Sequence, residues 1–549
     1  MYALLIVFII FIVFWSRIRR KSNVQKLLST LQSSYGKIPT RTYTHDEFEK
    51  ISHYYRNKGA QGIDEITWND LEMDEVFKRI NSSTSSVGEE VLYDILRTPT
   101  FDTDILNKRK DFISFFGIKE EARKNVQAIF ATCGRTKKSI SDSILEFSNL
   151  EPCSIGMDVL QALGLLACIV GIFIRPSIFI YLLIFMIVVN VTTYYRKKST
   201  FEASFICINY RMKLAWATLE LHKLDIHELD ELITPLLPAA KKTIKSRKLQ
   251  FFIGNDSSMM DSISAFFLDY LRMLFHIDII AFSFLQKRFK EDEQKTWQMI
   301  ESLGLIESCI VLSSFRESLP YFTVPVVKEE IELNAEGLYH PLLTNPVSND
   351  IHTTKSVLLT GSNASGKSTF LKTVAINAIF AQTVGTVCAT SYESCLFQIY
   401  SSMSLRDHLD KAESYYITEV KALKRILDHR NDKLPVLCFV DEVLRGTNTV
   451  ERIAASARIL KSLAEGNGLC FAATHDIELT YLLENDCDNY YFQEEILGND
   501  IFFPYTLHKG RAKSKNAIKL LEILGYDKEI VEDASAMASH FLKFGDWSI

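Results

Sequence analysis

The octapeptide at 361–368 reads G-x-x-x-x-G-K-S and constrains the fold of this chain more than any other feature. An apolar run at 355–360 precedes it, and a helix-forming segment follows. The glycines let backbone N–H groups turn inward around phosphate oxygens, and the helix adds its positive N-terminal end. The order of strand, loop and helix predicts a site for a nucleoside triphosphate.

The residues of this loop have separate predicted roles. We expect Lys367 to reach the β- and γ-phosphates and Ser368 to bind Mg²⁺. The predicted nucleotide-binding residues are Gly361, Ser362, Asn363, Ala364, Ser365, Gly366, Lys367, Ser368 and Thr369.

Two further apolar runs end in residues suited to hydrolysis. The run at 436–440 leads to Asp441, which would hold the metal through its water shell, and to Glu442, which would orient and deprotonate water. A run at 471–473 precedes His475, which could contact the γ-phosphate and sense its loss. The predicted catalytic residues are therefore Lys367, Glu442 and His475, and the predicted metal ligands are Ser368 and Asp441.

Strand-like and helix-like segments alternate in the C-terminal part of the chain. Such alternation predicts a mostly parallel sheet, whereas residues 70–157 and 200–320 have helical patterns without strand alternation. The predicted strands are 355–360, 435–441 and 469–474, and the predicted helices are 368–382, 413–429 and 450–465.

Apolar runs at 2–15, 159–174 and 177–195 predict membrane segments. The first would span about 22 Å, short of the ~30 Å hydrocarbon core, and its charges follow it, so a short signal anchor is favoured over a cleaved signal peptide. The other two form a helical hairpin around a proline, with a buried soluble hairpin as the alternative. Basic clusters at 17–21 and 196–198 place the rest of the chain in the cytoplasm.

Composition limits the remaining possibilities. The chain has 62 basic and 67 acidic residues, a balance that argues against a general polyanion-coating protein without excluding a local basic groove. Ten scattered cysteines with no C-x-x-C pair indicate free thiols in a reducing compartment. The segment 262–285 is apolar but carries Asp269, Arg272, His276 and Asp278, and we expect it to be a packed amphipathic helix of a soluble domain.

The C-terminal half resembles the ATPase domain of the MutS family, the DNA mismatch-recognition ATPases of the ABC superfamily. The similar stretches are L-Y-H-P-L at 338–342, T-G-S-N-A-S-G-K-S-T at 360–369, D-E-V-L-R-G-T-N-T at 441–449 and A-T-H-D-I-E-L at 473–479. The resemblance implies an α/β P-loop ATPase domain with a mostly parallel sheet, preceded by an all-α lever domain. It also implies ATP and Mg²⁺ as cofactors.

The segment around 407–419 is similar to the family's signature loop. In that family a serine of this loop reaches the γ-phosphate bound by the partner subunit. The resemblance therefore implies that Ser414 binds nucleotide in trans, within an ATP-sandwiched homodimer. The loop at 445–449 would cross the dimer seam.

The chain also departs from the family pattern. Ser362 occupies a position where the family has proline, and Leu444, beside Glu442, occupies one where the family has glycine. The other residues that differ from the family pattern are Ala364, Ser365 and Ala412. No segment before residue 80 resembles the family's mismatch-reading domain, and the apolar hairpin falls where the family inserts its DNA clamp. We therefore expect the levers to lead into a bilayer.

Three functions fit these features. The first is a membrane-anchored MutS-like ATPase of the cell membrane, multi-pass, whose motion passes through helical levers. The second is a membrane-tethered protein that binds mismatched or branched DNA, and the third is an ABC-type transport ATPase. The predicted segments are an anchor (1–16), the first part of the lever domain (17–157), a transmembrane hairpin (158–195), the second part of the lever domain (196–325) and the ATPase domain (326–549).

Overall fold

The computed structural model describes most of the chain as two compact units. The described residues are 29–59, 61–136, 138–151, 154–246, 249, 262–362, 365–403, 415–444, 447–497, 500–512, 517–523, 525–544 and 547. A helical unit comprises the described residues of 1–61, 77–98 and 108–318, and an α/β unit comprises those of 62–76, 99–107 and 319–549.

Helices α1 to α20 are numbered along the described part of the chain. They are α1 (His45–Lys58), α2 (Glu65–Asp70), α3 (Met73–Ile80), α4 (Ser86–Arg97), α5 (Thr103–Ile118), α6 (Glu120–Cys133), α7 (Ile140–Asn149), α8 (Gly156–Ile172), α9 (Pro176–Lys223), α10 (Asp230–Ile233), α11 (Leu237–Ile244), α12 (Ser262–Phe275), α13 (Ile277–Lys290), α14 (Glu293–Glu317), α15 (Lys367–Thr383), α16 (Tyr415–His429), α17 (Thr449–Ala464), α18 (Ile477–Leu482), α19 (Ala517–Ile523) and α20 (Lys528–Phe544). Two short 3₁₀ helices cover His227–Leu229 and Thr234–Leu236.

The strands of the described residues all lie in the α/β unit. They are β1 (Val326–Val327), β2 (Leu333–Leu338), β3 (Asn349–Thr353), β4 (Ser356–Thr360), β5 (Ser391–Ser394), β6 (Gln398–Ser402), β7 (Val436–Asp441), β8 (Gly468–Ala473), β9 (Cys487–Phe492), β10 (Glu495–Leu497), β11 (Asp500–Phe502) and β12 (Leu507–Lys509). Helices α2 and α15 to α20 belong to the same unit, and α3 and α5 have residues in both units.

The core of the helical unit is the contact between α4 and α14. These helices approach so closely that a side chain at Gly304 would meet Val91 at 2.4 Å. The fully buried Glu307 on α14 accepts hydrogen bonds from the backbone N–H groups of Thr84 and Ser85, just before α4 begins. This carboxylate therefore satisfies donors at the start of α4 that the helix leaves without partners of its own.

Helix α9 is continuous over 48 residues, about 72 Å at 1.5 Å per residue. Its first half is apolar and exposed and pairs with α8, whereas its second half packs against α6, α7, α11 and α14. The sequence-based boundary at 195/196 therefore falls inside one helix, because no glycine or proline interrupts residues 177–223.

Two described helices are long and apolar enough to cross a membrane. One is 176–199, whose most apolar 18-residue window is 11% buried, and the other is α14, whose corresponding window is 78% buried within its unit. Helix α8 is apolar but shorter. Length and composition alone are weak indicators, and the predicted anchor at 1–16 lies outside the described residues.

A buried polar cluster lies at the base of the α8–α9 hairpin. Asp158 accepts a hydrogen bond from Lys197 at 2.6 Å and lies 2.7 Å from Nδ1 of His276. Asn190 donates to the carbonyl of Leu274 at 2.8 Å. Because Asp158, Asn190 and His276 are fully buried, these contacts join α8, α9 and the end of α12 without water.

The prediction of one helix over 262–285 is wrong. The chain breaks at His276, whose φ of +54° is left-handed, so α12 ends there and α13 begins. Helix α12 packs against α8 and α9. Helix α13 also contacts both: Asp278 accepts from the Tyr194 hydroxyl of α9 at 2.8 Å, and the Phe289 carbonyl accepts from Arg211 of α9. The segment is thus two packed helices that meet at His276 rather than one.

The main sheet of the α/β unit has the order β12-β9-β4-β8-β7-β6. All neighbouring strands are parallel except β12, which runs antiparallel to β9. A smaller sheet has the order β1-β5-β2-β3. The buried strands β4, β7 and β8 begin and end within a residue of the predicted segments, and α15, α16 and α17 match the predicted helices within two residues.

Candidate nucleotide-binding site

The three predicted motifs meet at one edge of the main sheet because their strands are neighbours. Strand β8 lies between β4 and β7, with Ala473 paired to both Leu359 and Asp441. Parallel strands end at the same edge of a sheet, where open α/β folds bind their ligands. The loop after β4, the carboxylates after β7 and His475 after β8 are thus brought together.

The phosphate loop has the backbone geometry that its glycines allow. Gly361 has a φ of +146°, and a side chain there would meet the Phe492 carbonyl at 2.6 Å. Gly366 has a φ of +105°, immediately before α15 begins. The Lys367 ammonium donates to the carbonyls of Gly361 and Ser362 at 2.8 and 2.9 Å, so it lies inside the loop. The predicted ligands Asn363 and Ala364 lie outside the described residues.

Ser368 and Asp441 form a site suited to Mg²⁺. The Ser368 hydroxyl donates to Oδ2 of Asp441 at 2.5 Å. Within the described chain, Oδ1 of Asp441 is buried and accepts no hydrogen bond. A hard divalent cation prefers hydroxyl and carboxylate oxygens. The donor set, with one buried carboxylate oxygen left over, therefore fits the metal that the sequence predicts.

Glu442 and His475 contact each other, with Oε1 of Glu442 3.0 Å from Nε2 of His475. Glu442 has a φ of +56°, and its N–H donates to the carbonyl of Ala473 on β8. The loop that carries His475 is held by a bidentate ion pair between Arg452 and Asp476, at 3.0 and 2.6 Å. A carboxylate and an imidazole side by side next to a phosphate loop can position a water and take its proton.

A cavity of about 510 Å³ opens beside the phosphate loop. Sequence reasoning predicted the loop residues that line this cavity but missed other lining residues. These include His340, Leu343, Val347 and Tyr505. An imidazole, a phenol ring and two aliphatic side chains form a surface of the kind on which a nucleobase packs.

The surroundings of His340 and Tyr505 determine how these two side chains line the cavity. Burial, with Lys372 nearby, lowers the pKa of His340 to about 4, so its ring is neutral at physiological pH and Nδ1 accepts from the Leu342 N–H. Tyr505 has a φ of +54°, and its ring lies 3.1 Å from where a side chain on Gly366 would begin. The L-Y-H-P-L stretch was a signal for His340, whereas Tyr505 precedes a three-residue strand with no pattern of its own.

The turn after Glu442 is held from α16. Leu444 has a φ of +59°, and its N–H donates to the buried carboxylate of Glu419. The signature loop residues 404–414, including Ser414, and the seam residues Arg445 and Gly446 lie outside the described residues. Their predicted roles remain predictions.

Comparison with known proteins agrees with this geometry. Residues 357–542 match the family model MutS domain V. The chain is 27% identical over 294 residues to human MutS protein homolog 4, covering 50% of this chain and 31% of that protein. It is 30% identical over 223 residues to the DNA mismatch repair protein MutS of Thermus thermophilus, covering 40% of this chain and 27% of the relative.

A third relative gives the same picture. The DNA mismatch repair protein MutS of Aquifex pyrophilus is 31% identical over 263 residues, covering 45% of this chain and 30% of that protein. The chain thus matches about three tenths of the length of each of these relatives. Residues 357–542 of the α/β unit are thus similar to MutS domain V, an ATPase-type α/β domain of the MutS family.

Proposed function

We propose that this chain is an ATPase that binds and hydrolyses Mg²⁺-ATP in its α/β unit. The observation that carries the proposal is that Lys367, Ser368, Asp441, Glu442 and His475 meet at one sheet edge beside a cavity of about 510 Å³. Domain V of the MutS family supports it, because MutS proteins are ATPases as a class.

Each residue has a role that its position supports. Lys367 would exchange its two carbonyl partners for the β- and γ-phosphates, while Ser368 and Asp441 would hold Mg²⁺. The bound metal would neutralise charge that develops on the phosphate oxygens. Glu442 would orient the attacking water and accept its proton, and His475 would keep the Glu442 carboxylate in place and contact the γ-phosphate.

The test is ATP turnover by the detergent-solubilised chain and by Glu442→Gln. Gln is isosteric and accepts no proton, so turnover should fall by roughly 10²-fold or more while labelled ATP still binds. Equal turnover by the two proteins would remove Glu442 from catalysis.

We further propose that two copies of the chain close around ATP, with Ser414 of each reaching the nucleotide of the other. This rests on the resemblance of 407–419 to the signature loop. Glu442→Gln with ATP should sediment as a dimer, and Ser414→Ala in the same background should remain a monomer. A dimer that forms equally without nucleotide, or with Ser414→Ala, would contradict the sandwich.

A membrane is the proposed setting of this ATPase. Helix α8, the turn after it and the first half of α9 expose many large apolar side chains, among them Phe173, Tyr181 and Phe185, and such exposed apolar clusters mark contacts with membranes or partners. The cluster around Asp158 and Lys197 lies at the end of the hairpin nearest the basic residues 196–198, as a hydrocarbon boundary requires. We propose a multi-pass protein of the cell membrane with the ATPase unit in the cytoplasm.

The continuous helix α9 supports the lever role. Its apolar half and its half in the helical core are one rigid element, so a rotation of the core would move the hairpin with it. Alkaline carbonate should leave the full chain in the membrane fraction, and detergent should release it. Release by carbonate alone would contradict insertion.

DNA binding is the second candidate, favoured by relatives that are named DNA mismatch repair proteins. Phosphate contacts would impose a steep salt dependence. A gel shift on heteroduplex and branched DNA that weakens strongly from 50 to about 200 mM salt would support this candidate. No shift even at the lowest salt would discard it.

A further inference from the structure

The segment 62–76 lies far before the ATPase motifs in sequence but belongs to the α/β unit. Its helix α2 packs against β6, the edge strand of the main sheet. An edge strand presents backbone groups that no neighbouring strand satisfies. Here side chains of α2 satisfy them, and they do so at the point where β6 ends.

Two buried residues of α2 make these contacts. Thr67 accepts from the N–H of Ser401 at 3.0 Å. Asp70 accepts from the Ser401 hydroxyl at 2.7 Å and from the N–H of Met403 at 2.9 Å. Both are at most 2% exposed, so water does not compete for these hydrogen bonds. The end of β6 is therefore fixed to α2.

Asp64, at the start of α2, holds a second element. Its carboxylate pairs with Arg425 on α16 and also accepts from the Thr67 N–H as the N-cap of α2. Arg425 in turn donates to the carbonyl of Ser401 on β6. Helix α16 is thus bound both to α2 and to the edge strand through one guanidinium group.

Helix α16 carries these contacts on to the catalytic turn. Six residues before Arg425 it presents Glu419, which is 3% exposed and accepts from the N–H of Leu444. Leu444 is two residues after Glu442, and both have positive φ angles of +59° and +56°. Backbone held in this region persists only when surrounding contacts fix it.

We propose that segment 62–76 is a positioning element for Glu442, acting through Arg425 and Glu419. The inference rests on the proposed ATPase function. Asp64 orients α16, α16 places Glu419, and Glu419 fixes the turn from which Glu442 projects. The last residues of this segment, 73–76, form the first half of α3 (Met73–Ile80), and the second half of α3 belongs to the helical unit.

The experiment compares variants of the full chain in detergent. Asp64→Asn keeps an N-cap acceptor but loses the charge, and Arg425→Lys keeps the charge but loses the fork. Each should lower kcat about tenfold, since small misplacements of a catalytic group are costly, and should leave the Kd for labelled ATP unchanged. The double variant should be no worse than either single one, because both break the same contact.

Glu419 gives a sharper contrast. Glu419→Ala should lower kcat in the same way, and Glu419→Gln, whose amide oxygen still accepts from Leu444, should restore most of it. The control is Glu484→Gln, which removes an ion pair with Arg511 in the same unit and should leave kcat unchanged. Hydrogen exchange of the peptide that contains Leu444 should be faster in Asp64→Asn, Arg425→Lys and Glu419→Ala than in the wild type.

Unchanged kcat and unchanged exchange in Asp64→Asn and Arg425→Lys would overturn the proposal. So would a parallel loss of ATP affinity in both, which would indicate a general structural defect. If the wild type itself hydrolyses no ATP, the proposed function fails, and the exchange of the Leu444 peptide alone decides whether segment 62–76 fixes this turn.

Discussion

Nε2 of His475 lies 3.0 Å from Oε1 of Glu442, and the two side chains come from the ends of neighbouring strands β8 and β7. The imidazole can therefore hold the carboxylate in one orientation toward the nucleotide cavity. If the imidazole moves when the γ-phosphate is lost, the Glu442 carboxylate moves with it. This one contact would therefore serve both hydrolysis and detection of the γ-phosphate.

His475→Ala should lower kcat by about 10- to 100-fold, because Glu442 loses the group that orients it. The loss should be smaller than the about 10²- to 10⁴-fold that a general base contributes as a whole, since Glu442 itself is still present. The Kd for ATP should change less than kcat. Steady-state turnover and equilibrium binding measure the two quantities. Arg458→Gln, on the neighbouring helix α17, is the control and should behave as the wild type. Unaltered kcat in His475→Ala would show that the contact is only structural.

Leu444→Gly should destabilise the α/β unit even though it removes a backbone strain. A non-glycine residue at positive φ costs about 1–2 kcal/mol, whereas losing a buried leucine side chain costs about 2–5 kcal/mol. Leu444 is 3% exposed within the core cluster, so burial is the larger effect. Urea unfolding should give a free energy about 1–3 kcal/mol lower than that of the wild type. A more stable variant would contradict this ranking.

Glu90→Gln should stabilise the helical unit above pH 5. Burial raises the pKa of the Glu90 carboxyl to about 8, although the Ile140 N–H donates to it at 2.9 Å. The folded chain then binds more protons than the unfolded chain between the ordinary carboxyl pKa and pH 8, so its stability falls as pH rises through this window.

The neutral glutamine removes that dependence. At pH 8 the free energy of unfolding of Glu90→Gln should exceed that of the wild type by about 1–3 kcal/mol, and the difference should shrink toward pH 5. Thermal unfolding across this range measures it. A variant that is less stable at every pH would show that the carboxylate is charged and satisfied.

The apolar hairpin should contact lipid at Phe185, which is 62% exposed on α9. A Phe185→Cys chain labelled with an environment-sensitive fluorophore should show blue-shifted emission in lipid vesicles and quenching by spin-labelled lipid. Ile118→Cys, at a position 78% exposed in the helical unit, is the matched control and should report water. The described natural cysteines are buried and should label slowly. Identical spectra at 185 and 118 would place the hairpin outside the bilayer.

The sequence was sufficient for the part of the fold that is buried and regular. Strands β4, β7 and β8 are covered on both faces, so each appears as a continuous apolar run, and the predicted catalytic residues follow their ends. The meeting of Ser368, Asp441, Glu442 and His475 then follows from parallel strands ending at one edge.

Other parts depend on contacts between distant segments. Asp64 and Asp70 precede β6 by more than 300 residues. They stand at the N-cap and the end of a short polar helix, and no pattern in that helix predicts which strand it contacts. Tyr505 lies next to a three-residue strand, too short for a period. The continuity of α9, in contrast, could have been predicted from the sequence, because residues 177–223 contain no glycine or proline that would end a helix.

The most direct test of the account is the uptake of labelled ATP by the solubilised chain with and without Mg²⁺. We expect about one nucleotide per chain with Mg²⁺, retained by Glu442→Gln and lost by Lys367→Ala, with weaker binding by Asp441→Asn that higher Mg²⁺ partly restores. No uptake by the wild type, or equal uptake by Lys367→Ala, would contradict the claim that these residues hold a magnesium nucleotide.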